Sequence, residues 1–359
     1  MSKFVGSYVP ELTSVLVAST LSRQNAIILG SAGWGKTAIG RSLAQQMSGG
    51  QYSFTRIDPS TPPDAVRGAY NPAALLDGRL ERVVDGTPYD PQTRLAIVDE
   101  IGRGNEVTFD ALLDTLDRLD DPDAPSVWAT SNFMPSNERV QALIDRFALW
   151  YWIQPDSLDP AAIVAAQLNG SGGPQVDPTG LPTWAEVQDV RSATPGQNAI
   201  KAIGDLLGDL IREAEMQGRR AHPRRVTQWT HLLFRVGVWH SGSADWSTVP
   251  EKAASLLAYA WPAITPEEQA TWKGIAGSVV DVVGAAIEEA MASLVDDLNE
   301  IAGAPAGRRT SMVMSMTTKM QNLQTQLEQM AGEDNPRVEE AIEQMNQWLS
   351  MVMTGRPIE

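Results

Sequence analysis

The chain of 359 residues contains no cysteine, which excludes disulfides and thiolate metal sites. Histidine is nearly as scarce. His222, His231 and His240 lie nine residues apart, a spacing that does not gather them on one helical face, so no histidine metal centre is expected. Positive charge is also short. The 28 Lys and Arg face 44 Asp and Glu, for a formal net charge of −16. That balance argues against broad affinity for nucleic acid or for an anionic membrane, and leaves only a local basic pore open. The N-terminus has no apolar signal core, and the longest apolar stretch near the C-terminus is broken by Asp281. No membrane span and a cytoplasmic location are therefore expected. Hydrophobic content is ordinary at 43%, and the length suffices for two or three domains with their own cores.

Residues 30–37 read Gly30-Ser31-Ala32-Gly33-Trp34-Gly35-Lys36-Thr37, followed by Ala38. This is a complete phosphate-binding P-loop. Its glycines let the backbone curl so that N–H groups point at phosphate oxygens, Lys36 adds a point charge, and Thr37 offers a hydroxyl to Mg²⁺. The apolar run Asn25–Leu29 suits a buried parallel strand before it, and residues 38–44 suit a helix whose N-terminus faces the phosphates. Bound nucleoside triphosphate with Mg²⁺ is the expectation.

Two further strand ends carry polar groups. Leu95–Val98 is apolar and ends in Asp99-Glu100, the Walker B pattern. Asp99 is expected to hold Mg²⁺ through its water shell, and Glu100 to polarise the attacking water. A second run, Pro125–Thr130, ends at Ser131-Asn132, where the amide can hold the lytic water or serve merely as turn chemistry. Ala142–Phe147 reads as a short helix carrying Arg146, and Arg224 and Arg225 follow far downstream.

In this order the elements resemble the AAA+ superfamily, and within it the MoxR branch. The P-loop is followed by Phe54-Thr55-Arg56-Ile57, Pro63-Asp64 and Gly68. Then come Asp99-Glu100-Ile101, Ala129-Thr130-Ser131-Asn132, the Leu143–Phe147 segment and His222-Pro223-Arg224. The resemblance spans roughly residues 1–265. It implies ATP hydrolysis with Mg²⁺ and a homo-oligomeric ring, hexameric by family habit. It implies that Arg146 is an arginine finger reaching the neighbouring subunit's γ-phosphate. It implies that Arg224, with Arg225 as its close competitor, is a sensor reaching the γ-phosphate from the lid of its own subunit. The competing reading of Arg146 is a surface salt bridge with Asp145 or Glu138.

The sequence departs from the family in two places. Gly102-Arg103-Gly104 stands where the family has Asn-Arg-Ala. The segment from Glu100 to Asn132 is short, with helix-like residues 106–119 filling most of it, so the family's hairpin ahead of Asn132 is expected to be vestigial or absent. Another hairpin is expected over residues 77–86, where two Asp-Gly turn signals flank an alternating stretch. Its Arg79 and Arg82 read as pore-lining residues or, slightly favoured, as solvated charges.

Three domains are expected. Residues 1–150 form an α/β P-loop domain, a parallel sheet sandwiched by helices. Residues 151–265 form a small α-helical lid, with a Gly/Pro-rich loop at 169–174, helices over 198–217 and 222–238, and Trp229, Trp239, Trp246 and Trp261 in its core. Residues 266–359 form a helical extension, because apolar residues recur three and four apart in three stretches separated at 302–307 and 332–336. The function expected is ATP-driven remodelling or activation of a protein client, which the family often receives through a partner with a von Willebrand factor A domain. The alternative is a nucleic-acid-directed motor or nuclease-associated NTPase, against which the acidic balance counts.

Overall fold

The structure is a computed structural model. It describes residues 10–118, 121, 124–134, 142–154, 180–280, 291, 294–295, 297–299, 301, 303, 306–331 and 336–353. The expected loop at 169–174 and the apolar positions Val283 and Ile287 lie outside the described residues, as do Asp281 and Glu138. Packing divides the chain into two units, Met1–Ala276 and Gly277–Glu359.

The first unit begins with α1 (Pro10–Ser22), followed by β1 (Asn25–Leu29), α2 (Lys36–Met47) and β2 (Tyr52–Arg56). Next come α3 (Asp64–Arg67), β3 (Ala69–Tyr70), α4 (Pro72–Leu76) and β4 (Arg82–Val83). The run continues through β5 (Leu95–Asp99), α5 (Glu106–Leu116), β6 (Ser126–Ser131) and β7 (Phe147–Trp152). Five strands form one parallel sheet in the order β2-β5-β6-β1-β7. Every residue of β1 and β5 is buried, as continuous apolar runs covered on both faces require. Phe109, Leu112 and Leu116 of α5 pack on one face with Ile27, Leu29 and Val98.

Two expectations change here. Residues 142–144 are helical, but Phe147 opens a strand. Phe-Ala-Leu-Trp-Tyr-Trp is a bulky, buried β-forming run, so the sheet extends to Trp152 and past the boundary expected at residue 150. The small hairpin also differs. β3 pairs with β4, Ala69 opposite Val83 and Tyr70 opposite Arg82, across α4. The first Asp-Gly signal ends a helix instead of turning a strand: Asp77 caps α4 and Gly78 is left-handed. At Gly68 a Cβ would lie 2.3 Å from the Val83 carbonyl oxygen, so only glycine lets these strands approach. Arg82 lies over the Tyr70 ring and pairs with Asp64, and Arg79 pairs with Asp77 and Glu81.

Among the described residues, the helices α6 (Trp184–Ser192), α7 (Gln197–Met216), α8 (Pro223–Ser241) and α9 (Glu251–Ala254) follow the sheet. Ile203, Leu206, Leu207 and Leu210 of α7 are buried as their spacing requires, while Ile200 stands out into solvent. α10 (Pro266–Val280) returns to this unit, where Trp272 stacks on Trp229 and Trp261 with centroids 5.9 and 4.7 Å away. The break between units thus falls beyond the loop 262–268.

The second unit contains α11 (Ala306–Ala331) and α12 (Pro336–Met353) and a preceding stretch with Leu294, Leu298 and Ile301. These three join Met316, Met320, Val338, Met345 and Val352 in one core. The three sequence seams therefore face one another.

Candidate nucleotide site

The strand order explains the site. β6 lies between β1 and β5, so the end of β6 sits between the P-loop after β1 and the acids after β5. Gly30, Gly33 and Gly35 all have positive φ, at 146°, 88° and 75°, the conformations the curled loop needs. Gly35 caps α2 with no side-chain hydrogen bond, so the first N–H groups of that helix are left to the loop. Ser31, Ala32 and Gly33 are exposed, and Trp34 and Gly35 partly so.

Lys36 is buried at the floor. Its Nζ donates to the carbonyl oxygens of Gly30 and Ser31 at 2.8 and 2.9 Å, and to Asn132 Oδ1 at 2.7 Å. Asn132 Nδ2 in turn donates to both oxygens of Glu100, at 3.1 and 3.2 Å. Lysine, amide and carboxylate form one chain. Burial holds the Lys36 pKa below its ordinary value, against the opposing pull of Glu100 and Asp99. Beside this chain, Thr37 Oγ1 and Thr130 Oγ1 both donate to Asp99 Oδ1, at 2.5 and 2.6 Å. A threonine hydroxyl and a carboxylate in contact form a hard-oxygen donor set that fits Mg²⁺. Residues 30–38, Asp99, Glu100 and Asn132 are therefore brought together.

Three residues act here that the sequence did not single out for a role: Thr130, Arg103 and Gly102. Thr130 also accepts from the Glu100 backbone N–H at 3.2 Å, tying the two acidic positions to β6. Glu100 itself has φ 59°, an uncommon left-handed conformation for this residue. Arg103 pairs with Glu100 at 3.4 Å. Gly102, which replaces the family's Asn, donates its N–H to Ser131 Oγ, and a Cβ there would lie 2.4 Å from the Phe133 carbonyl oxygen. The departure from the family is thus a close backbone approach.

Arg146 and Arg224 lie elsewhere. Arg146 donates to Asp117 Oδ2 and to the Ala142 carbonyl oxygen, both at 2.5 Å. Arg224 stands 3.6 Å from Asp117 Oδ1. The partner of Arg146 is Asp117, at the end of α5, instead of Asp145. Asn25, at the start of β1, donates to the carbonyls of Leu116 and Arg146, which fixes this cluster at the strand-start edge. The P-loop follows the other end of β1, and five residues of strand span roughly 15 Å. In this structure Arg224 stands at the strand-start edge, away from the P-loop of its own subunit. The reason is the docking of α8: Arg225 is buried and donates to the Phe147 carbonyl at 2.8 Å, and Gln228 donates to the Asp145 carbonyl at 3.2 Å. Burial, against the opposing pull of Asp145 and with a smaller push from Arg224, holds Arg225 down to about 10. It holds the fold, while Arg224 stays exposed.

Comparison with known proteins agrees with this geometry. Residues 2–169 match a family model described as the MoxR domain in the MoxR-vWA-beta-propeller ternary systems. No curated protein matches the chain significantly. Among solved structures, a candidate ATPase from Cytophaga hutchinsonii superimposes with a TM-score of 0.54 at 17% identity, over 77% of this chain and 90% of that one. This likeness is one of fold. PCH-2 from C. elegans is matched at 16% identity over 76% of this chain and 69% of that one, with a TM-score of only 0.28. Among the described residues no helix is long and apolar enough to cross a membrane. Residues 2–169, just under half of this chain, thus match the MoxR domain.

Proposed function

We propose that the chain hydrolyses ATP at the interfaces of a homo-oligomeric ring, hexameric by analogy with the family. We propose further that the ring uses the cycle to remodel or activate a protein client. The observation that carries this reading is the division of labour across the sheet. Lys36, Asn132 and Glu100 form one connected chain at the strand ends, and Arg146 and Arg224 share Asp117 at the strand starts. A cradle and its two arginines on opposite edges of one subunit become a complete site when copies stack edge to edge.

In that site the loop N–H groups and Lys36 hold the β- and γ-phosphates. Thr37 and Asp99 would hold Mg²⁺, which would offset the negative charge of the phosphate oxygens. Glu100 takes a proton from the attacking water, and Asn132, already held against both Glu100 oxygens, orients that water. Arg146 and Arg224 of the adjacent copy exchange Asp117 for the γ-phosphate and stabilise the charge that develops there. The family description names von Willebrand factor A and β-propeller partners. A partner carrying a von Willebrand factor A domain is the corresponding proposal for client delivery here.

The test is subunit mixing. Arg146→Ala is expected to bind ATP nearly normally and to lose at least about a hundredfold in turnover. Lys36→Ala is expected to lose nucleotide binding. Mixed under conditions where subunits exchange, the two should recover part of the activity, because some interfaces then pair an intact cradle with an intact finger. Activity that only averages the two mutants removes the interface reading.

A further inference from the structure

β7 is an outer strand of the sheet, with β1 on one side only. Phe-Ala-Leu-Trp-Tyr-Trp is a strong β-former, and the N–H and C=O groups along its outer side would otherwise invite a foreign strand. Long side chains take those groups up. At the start of β7, Arg225 of α8 donates to the Phe147 carbonyl at 2.8 Å. At its end a single carboxamide does the same work twice. Gln269 of α10 donates from Nε2 to the Trp150 carbonyl at 2.7 Å, and its Oε1 accepts from the Trp152 N–H at 3.2 Å. Gln269 is buried, and it bonds the edge as the N–H and C=O of a neighbouring strand would. The Trp152 indole is held as well, donating to the Ala263 carbonyl at 2.8 Å in the segment before α10.

This end of β7 is the seat of the P-loop. Leu29 ends β1 and pairs with Trp152, and the next N–H, that of Ile153, donates to the Leu29 carbonyl at 2.8 Å. Gly30 opens the loop. A Cβ on it would lie 3.0 Å from the Ile153 carbonyl oxygen, so the first residue of the loop rests on the Ile153 backbone. Ile153 follows Trp152, and Trp152 is set by Gln269.

We infer that Gln269 is a positioning residue for the P-loop. Through the backbone from Trp150 to Ile153 it fixes where the loop stands, and so sets nucleotide affinity from a helix outside the loop. The inference rests on the nucleotide binding proposed for that loop. Phosphate contacts are sensitive to displacements well under 1 Å, roughly, so a loosened seat costs affinity. Only a group with a donor and an acceptor on one carbon makes both bonds. Leucine makes neither. An ionised glutamate offers two acceptors and repels the Trp150 carbonyl, whereas a protonated one offers an O–H and a C=O and restores the pair. Burial raises the pKa of a carboxyl placed there above its ordinary range. Titratable groups on the surrounding elements have partners of their own. Lys273 of α10, Tyr151 of β7 and Tyr259 meet Glu11 of α1, and Glu268 accepts from the Ile264 and Thr265 N–H groups. The parent chain carries them all, so its pH profile is the baseline.

The test is calorimetry of the full-length chain with Mg²⁺ and a slowly hydrolysed ATP analogue, at about pH 6 and about pH 8.5. Gln269→Leu is expected to weaken binding at least about tenfold at both values, with melting still cooperative. Gln269→Glu is expected to bind like the parent at the lower value and at least about tenfold more weakly at the higher. A merely structural glutamine would change the melting temperature and leave the affinity of the folded chain on the parent's profile. If the leucine variant does not fold, the glutamate variant at the two pH values decides alone. Parental affinity in Gln269→Leu, or a Gln269→Glu chain that follows the parent's pH profile, overturns the inference. A parent chain that binds no analogue overturns the nucleotide reading itself, and this inference with it.

Discussion

At the scale of single residues, the site is held by hydroxyls and by one missing side chain. Thr130 supplies a donor to Asp99 and an acceptor to the Glu100 N–H. Thr130→Val keeps the shape, strands the Glu100 N–H and leaves Asp99 with Thr37 as donor, so it should cost about 1–3 kcal/mol in urea unfolding and weaken Mg²⁺-dependent nucleotide binding. Gly102→Ala forces a Cβ against the Phe133 carbonyl and should cost a comparable 1–3 kcal/mol, roughly, with the loop bearing Asn132 displaced. Glu100→Gln preserves the amide-sized group facing Asn132 but cannot take a proton. Nucleotide affinity measured by calorimetry should survive, while steady-state turnover falls at least about a hundredfold. Burial first, then Arg23 and Arg235, hold the Arg191 pKa down to about 9, so its guanidinium is charged at neutral pH.

At the scale of elements, the parts with local signatures were legible in the sequence. The P-loop, the acidic end of β5 and the amide after β6 announce themselves by residue type and spacing, and the three apolar seams of the second unit repeat strictly enough to predict their common core. The parallel sheet followed from the same runs. β7 was obscured because the turn at Asp145 and Arg146, between residues 142–144 and the aromatic strand, carries no glycine or proline to mark it. α1 gave no stripe to read: Leu12, Val15, Leu16 and Leu21 are fully buried, and so are Thr13 and Ser19 on its other faces. The meeting of Arg146 and Arg224 on Asp117 was illegible because it joins residues from three distant elements, and no local pattern encodes that. It carries its own prediction. Asp117 is half exposed, so its pairs stabilise the isolated fold little, and Asp117→Asn should cost less than about 1 kcal/mol.

At the scale of the whole molecule, the division after Ala276 sets where the chain can be cut. A chain ending at residue 276 keeps Trp272 stacked on Trp229 and Trp261 and should melt cooperatively. One ending at residue 265 loses that indole and should be destabilised by about 3–5 kcal/mol, visible as a lower melting temperature. The separation of the cradle from its arginines has a further consequence, which is one of counting. A subunit with a socket at one edge and a plug at the other is polar, and polar units join head to tail. A lone copy then has no complete site. An open row of n copies has n − 1, with a bare socket at one end and a bare plug at the other. Only closure brings the tally to n. Specific activity should therefore rise with assembly size and step up once more when the row shuts on itself.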